Sequence, residues 1–170
     1  MTALLSIRRE TAAAALFSVA GVIGTLISTH AWSARLPTAL FYAVLVVNTY
    51  FSIRFFSLPP PGRRDQTVIN GVLFALYVIL AFSIGSIPVF SLVSTLLFAA
   101  AALKYALLLG VMDRREILTR KIAIDGLGLL LCAAAFAGSY LGYPLASAWL
   151  QALLFGLANI YLLVVRPMYA

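Results

Sequence analysis

Lys104 and Asp125 stand inside long apolar stretches of this 170-residue chain, as do Asn70, Gln151 and Asn159. An ionisable side chain at the centre of a bilayer costs about 2.5–3.5 kcal/mol on insertion scales, and it usually survives there by facing inward onto a partner. Lys104 is expected about 10 Å inside the end of its span. Asp125 is expected about one turn into the next. Spans joined by a short connection are usually neighbours, so the two are expected to meet as a pair bordering a polar pocket. A local alternative stays open: Asp125 follows Lys121 by four residues, and a carboxylate near a helix start is favoured by both that spacing and the helix dipole.

The remaining polar residues fall into stripes. Asn70 and Tyr77 are seven apart, Asp125, Gly128, Cys132 and Ser139 share roughly one face, and Ser147, Gln151 and Asn159 drift along another. Facing lipid would be costly, so these faces should point into a bundle, as glue between helices or as the lining of a pathway. In the stretch VVNTYFSIRFF, residues 46–56, Asn48 and Tyr50 are two apart and point about 200° from each other, so they cannot both line one pore. Tyr50 and Arg54, four apart, share a face. Arg54 is expected to snorkel toward headgroups, tethered by Tyr50. The candidate binding or pathway residues are Lys104, Asp125, Asn70, Asn159, Gln151 and Arg54, with the tyrosines Tyr50, Tyr105 and Tyr161.

Catalytic and metal chemistry finds little to work with. A single cysteine, Cys132, makes no intrachain disulfide, and a single histidine, His30, makes neither a His-rich metal centre nor bis-His haem ligation. A Ser-His-acid set would need His30, at the outer boundary, far from the inner-half acids. Neither a paired-carboxylate motif nor a Gly-rich phosphate loop is present. No cofactor is expected, and the reading leans away from an enzyme.

What must position these residues is a set of membrane helices. The chain is 64% hydrophobic and 10% charged, against roughly 45–50% and about 25% in soluble domains. Six stretches have the roughly 20 apolar residues that a span needs: 11–29, 36–58, 67–85, 89–111, 122–142 and 145–165. Pro37, Pro88 and Pro144 each follow a short outer loop, where a first helical turn tolerates proline. Arg8-Arg9 before an apolar run resembles a signal peptide, but the run is long and Trp32 would occupy the −3 position, so it reads as a retained first span. The predicted fold is an all-α integral membrane protein with a single transmembrane domain over 1–170.

Orientation follows from the lysines and arginines. Placing both termini in the cytoplasm puts ten on the inner side, Arg35 alone outside and Lys104 within a span. The net charge of +7 is thereby a topology signal rather than a nucleic-acid footprint. The basic inner loops suit anionic lipid headgroups of the bilayer. A membrane protein partner or a homo-oligomer is also open.

An internal repeat runs through the chain. Arg8-Arg9-Glu10, Arg63-Arg64-Asp65 and Arg114-Arg115-Glu116 each precede an odd-numbered span, and Tyr50, Tyr105 and Tyr161 recur at spacings of 55 and 56 in the even ones. Three tandem hairpins, approximately 1–58, 63–112 and 115–166, related by pseudo-threefold symmetry about the membrane normal, account for this pattern. Two functions fit. One is a small transporter or channel-like protein with a polar cluster in the cytoplasmic half. The other is a non-catalytic subunit or scaffold that binds membrane chains through small-residue faces, of which Ala14, Ser18, Gly21, Thr25 and Ser28 form the clearest.

Overall fold

The computed structural model describes residues 2–56, 64–111 and 115–165, with side chains from Glu10 onward. Among these residues there are six α-helices and no strand: α1 (Thr2–Ile27), α2 (Trp32–Phe56), α3 (Arg64–Phe82), α4 (Ile87–Leu108), α5 (Arg115–Tyr140) and α6 (Pro144–Ile160), the last continued by a π-type turn over Tyr161–Val165. All six are long and apolar enough to cross a bilayer. The fold is therefore all-α and compatible with an integral membrane protein.

Helix starts differ from the expected spans where local bonding extends a helix. Pro88 and Pro144 stand in first turns as expected. Pro37 does not, because Ala31–Arg35 already winds a turn and α2 begins at Trp32. Proline lacks the N–H that a helix interior uses. Nearby, the Thr38 hydroxyl donates to the Ala34 and Arg35 carbonyls. Helix α5 begins at Arg115, seven residues before the expected span, with Glu116 in its first turn bonded to Arg120 at 2.7 Å.

The helices close a ring in the order α1, α2, α6, α5, α4, α3, with α4 lying most extensively along α5. Small residues allow the tight crossings. A β-carbon on Gly24 would sit 2.0 Å from the Ala81 carbonyl oxygen, so α1 and α3 approach backbone to backbone there. Gly21 and Gly128 receive the rings of Tyr42 and Phe98. In the turn between α3 and α4, Gly85 takes a φ of 94° that glycine alone adopts cheaply, and its N–H donates to Thr38 Oγ1.

The even-numbered helices meet in the middle. Phe41 of α2, Phe98 of α4 and Phe155 of α6 are mutually in contact, with ring centroids 6.4, 4.5 and 5.5 Å apart for Phe41–Phe98, Phe41–Phe155 and Phe98–Phe155. This aromatic cluster divides the interior into two ends.

Candidate functional site

On the side of the aromatic cluster where α2 and α4 end, the bundle encloses a partly open cavity of about 400 Å³. Five helices build it, and each turns one face inward. From α4 come Leu97, Phe98, Ala101, Lys104, Tyr105 and Leu108, at the three- and four-residue steps of one helical face. Helix α3 supplies Gln66, Asn70, Leu73, Phe74 and Tyr77 on the same rule, and α2 supplies Asn48, Thr49, Ser52 and apolar neighbours. Ala13 and Phe17 of α1 and Lys121 and Asp125 of α5 complete the wall.

The charges are arranged asymmetrically. Lys121 Nζ donates to Asp125 Oδ1 at 2.6 Å, and the two side chains are only 6% and 1% exposed. The expected Lys104–Asp125 pair is thus corrected: the aspartate takes its local partner. The reason is the early start of α5. Asp125 lies ten residues into that helix, about 15 Å, with Lys121 one turn behind it on the same face. Lys121, counted with the inner loop from sequence, is buried within the bundle instead.

Lys104 is also shallower than expected. Helix α4 ends at Leu108, so Lys104 is four residues, about 6 Å, from the helix end. Phe98 packs on Gly128 and Tyr105 clusters with Leu118, which puts Lys104 between the levels of Thr119 and Ile122, and Asp125 a turn or more deeper. Lys104 remains close enough to interact electrostatically with both Lys121 and Asp125. Among the described residues it makes neither an ion pair nor a hydrogen bond, and its ammonium lies 5.8 Å from the Tyr105 ring centroid. Lys121 approaches the same ring at 5.5 Å. An electron-rich face of this kind attracts cations. Among the described residues, two further buried groups in the wall lack a hydrogen-bond partner, Gln66 Nε2 and Asp125 Oδ2.

Lys104, Asp125, Asn70 and Tyr105 thus share one cavity, and the other candidates do not line it. Asn159 stands behind the wall: Asn48 Nδ2 donates to its Oδ1 at 2.5 Å, and Ser52 Oγ donates to Asn48 Oδ1. Gln151 lies beyond the aromatic cluster, where it accepts from Ser91 Oγ at 2.9 Å and donates to Cys132 Sγ at 3.2 Å. Arg54 is exposed and reaches the buried Glu10 carboxylate at 4.0 Å. Its expected tether does not form, since Tyr50 packs edge-on against Phe51 instead. Tyr161 is exposed at the end of α6.

Sequence reasoning missed Gln66, Thr49, Ser52 and Lys121 as wall residues. The hydroxyls of Thr49 and Tyr77 are hydrogen-bonded across α2 and α3. Their signal was present: Asn48, Thr49, Ser52 and Phe56 fall on one helical face opposite Tyr50. Among the described residues no group of three His, Cys, Asp or Glu side chains comes together. The site offers one unpaired cation, neutral donors and acceptors, and an apolar deep wall. Such a composition can orient a ligand. The chain matches no protein-family profile, no curated protein and no solved structure.

Proposed function

We propose that the chain is a small transporter-type membrane protein whose solute site is the cavity beneath the Phe41–Phe98–Phe155 cluster. The observation that supports this most directly is Lys104. A cation without an ion pair, facing a cavity of about 400 Å³ inside an apolar bundle, is retained at a cost in insertion energy. Ligand pockets start near this volume, at about 300 Å³. The aromatic cluster closes the cavity's deep end, so passage requires those three rings to part.

In this reading both termini face the cytoplasm, and the cavity opens toward that side. With Lys121 assigned to the bundle interior, nine inner lysines and arginines face Arg35 outside. Basic residues at the inner helix ends then meet anionic headgroups. The hairpin repeat belongs to the same proposal. Phe41, Phe98 and Phe155 recur at intervals of 57 residues and touch at the centre, and Asn48 bonds Asn159, 111 residues on. Helices α2, α4 and α6 would surround the pseudo-threefold axis. The ring order departs from that symmetry: among the described residues the long α4–α5 contact has no comparable α2–α3 or α6–α1 counterpart, and α2–α6 and α1–α3 have no comparable α2–α4, α4–α6, α3–α5 or α5–α1 ones, so the repeat rests on the recurring phenylalanines and the Asn48–Asn159 bond.

The scaffold alternative draws less support. Its clearest docking stripe is partly consumed within the bundle, where Gly21 is buried against Tyr42. Cysteine labelling discriminates the two. On a Cys132→Ala background, Asn70→Cys and Thr119→Cys should react with a membrane-impermeant maleimide in inside-out vesicles and stay unlabelled in intact cells. Labelling of Thr119→Cys from outside cells refutes the orientation. Labelling of Thr119→Cys without Asn70→Cys in inside-out vesicles refutes the water-accessible cavity and leaves the scaffold.

A further inference from the structure

The charge and polarity of the cavity wall restrict what it can hold. Lys121 and Asp125 neutralise each other at 2.6 Å, so among the described residues the wall carries one excess positive charge, on Lys104. Gln66 is 3% exposed, faces the cavity and has an amide donor with no partner. A buried amide donor left unmade costs about 1–3 kcal/mol, so a ligand that accepts from it recovers that loss. Asn70, one turn and about 6 Å further along α3, offers a second amide deeper in the wall. These groups lie near the helix ends where α4 stops and α3 starts.

The wall changes character with depth. Toward the aromatic cluster it consists of Phe17, Leu73, Phe74, Leu97 and Phe98, interrupted by the Thr49–Tyr77 hydroxyl pair, whose hydrogen bond is already made. One end therefore suits a negative head that accepts hydrogen bonds. The other suits hydrocarbon. Hydrogen bonds to an ionised acceptor are about twice as strong as neutral ones, and each buried methylene adds about 0.8 kcal/mol.

We propose that the cavity binds an amphiphilic anion, a carboxylate or a phosphate monoester with one apolar chain. Its head is held by Lys104 and Gln66, and its chain lies along Phe17, Phe74 and Leu97. The assignment deepens the proposed function and rests on the cavity being a ligand site. A second cation would be repelled by Lys104. A neutral chain would leave Lys104 without a counter-charge. A free inorganic anion would leave the apolar wall unfilled.

Protection from alkylation tests this with the whole protein. On the Cys132→Ala background, Ala101→Cys places a thiol in the wall between Phe98 and Lys104. Purified protein in maltoside micelles is treated with a maleimide, alone or with dodecanoate, dodecyl phosphate, dodecyltrimethylammonium or inorganic phosphate. Dodecanoate and dodecyl phosphate should slow alkylation at least tenfold, while the ammonium amphiphile and inorganic phosphate at equal concentration should not. Lys104→Gln should abolish that protection, and Lys104→Arg should retain it, with both variants eluting as folded protein. If the thiol reacts and neither anionic amphiphile protects it, the ligand assignment fails while the cavity stands. If the thiol does not react at all, the cavity reading itself fails. Equal protection by inorganic phosphate, or by the ammonium amphiphile, overturns the amphiphilic-anion assignment.

Discussion

Removing Asp125 should damage the fold more than removing either lysine. Asp125→Leu removes the carboxylate that the 4% exposed Lys121 bonds and, among the described residues, the one carboxylate of the wall near Lys104. Breaking a buried pair from one side costs about 3–5 kcal/mol, and with two cations left behind the loss should fall in the upper part of that range. Lys121→Met leaves Asp125 charged, but Lys104 is within electrostatic reach and can turn toward it. That loss should stay near or below the roughly 2.5–3.5 kcal/mol of a deep unpaired charge. The double variant Lys121→Met/Asp125→Leu removes both charges and keeps the wall at one positive charge. Apolar replacement of a whole buried pair is often neutral or stabilising. The coupling between the two positions should therefore exceed about 3 kcal/mol, the top of the usual range for residues in contact. Helical circular dichroism during dodecyl sulfate unfolding of the maltoside-solubilised protein measures all four species. Additivity within about 0.5 kcal/mol would falsify the pairing. Strong coupling of Asp125→Leu to Lys104→Met, with none to Lys121→Met, would restore the pairing expected from sequence and refute the geometry described above.

Two further outcomes follow from packing. Gly24→Ala drives a methyl group against the Ala81 carbonyl, whereas Gly71→Ala meets nothing within 4 Å. The first should destabilise by about 1–3 kcal/mol and the second should be neutral or stabilise by about 0.5–1 kcal/mol, read as opposite shifts in thermal melting; equal shifts would remove the close α1–α3 crossing. Phe98→Ala should cost about 3–5 kcal/mol and open the aromatic cluster, so that a small water-soluble maleimide reaches the fully buried Cys132. A thiol that stays inert in the folded variant would show that Phe98 does not close the cavity.

Helices long and apolar enough to cross a membrane were legible in this chain because a bilayer imposes one demand, about 20 apolar residues with all backbone groups bonded internally. The same demand turns isolated polar groups away from lipid, which is why Lys104, Asp125, Asn70 and Tyr105 share a cavity. Pairing is a different matter, because it depends on offsets of a single turn. Moving the start of α5 from residue 122 to Arg115 carried Lys121 from an expected loop into the wall and gave Asp125 a partner on its own helix. Contacts between separate helices were beyond reach for the same reason. Glu10 finds Arg54, and Asn48 finds Asn159, only once the ring order of the helices is known.

The two residue types that recur through the even helices took different fates, and the difference bears on the repeat. The tyrosines at spacings of 55 and 56 scatter: Tyr105 is buried, Tyr50 half-buried and Tyr161 exposed. The phenylalanines at spacings of 57 converge at the centre. A polar-tipped aromatic near a membrane boundary satisfies itself wherever one end is wet, so its recurrence constrains position along the helix but not rotation about it. A purely apolar ring has no such freedom when three helices share a narrow core, where volume and mutual ring geometry must be satisfied together. Recurrence of Phe41, Phe98 and Phe155 therefore carries more weight for a hairpin plan than the tyrosines that first suggested it. It also places the closure of the cavity on the same residues that hold the even helices together. Under the proposed transport reading, a solute that drives those rings apart must work against core packing, and its passage would be coupled to a rearrangement of α2, α4 and α6.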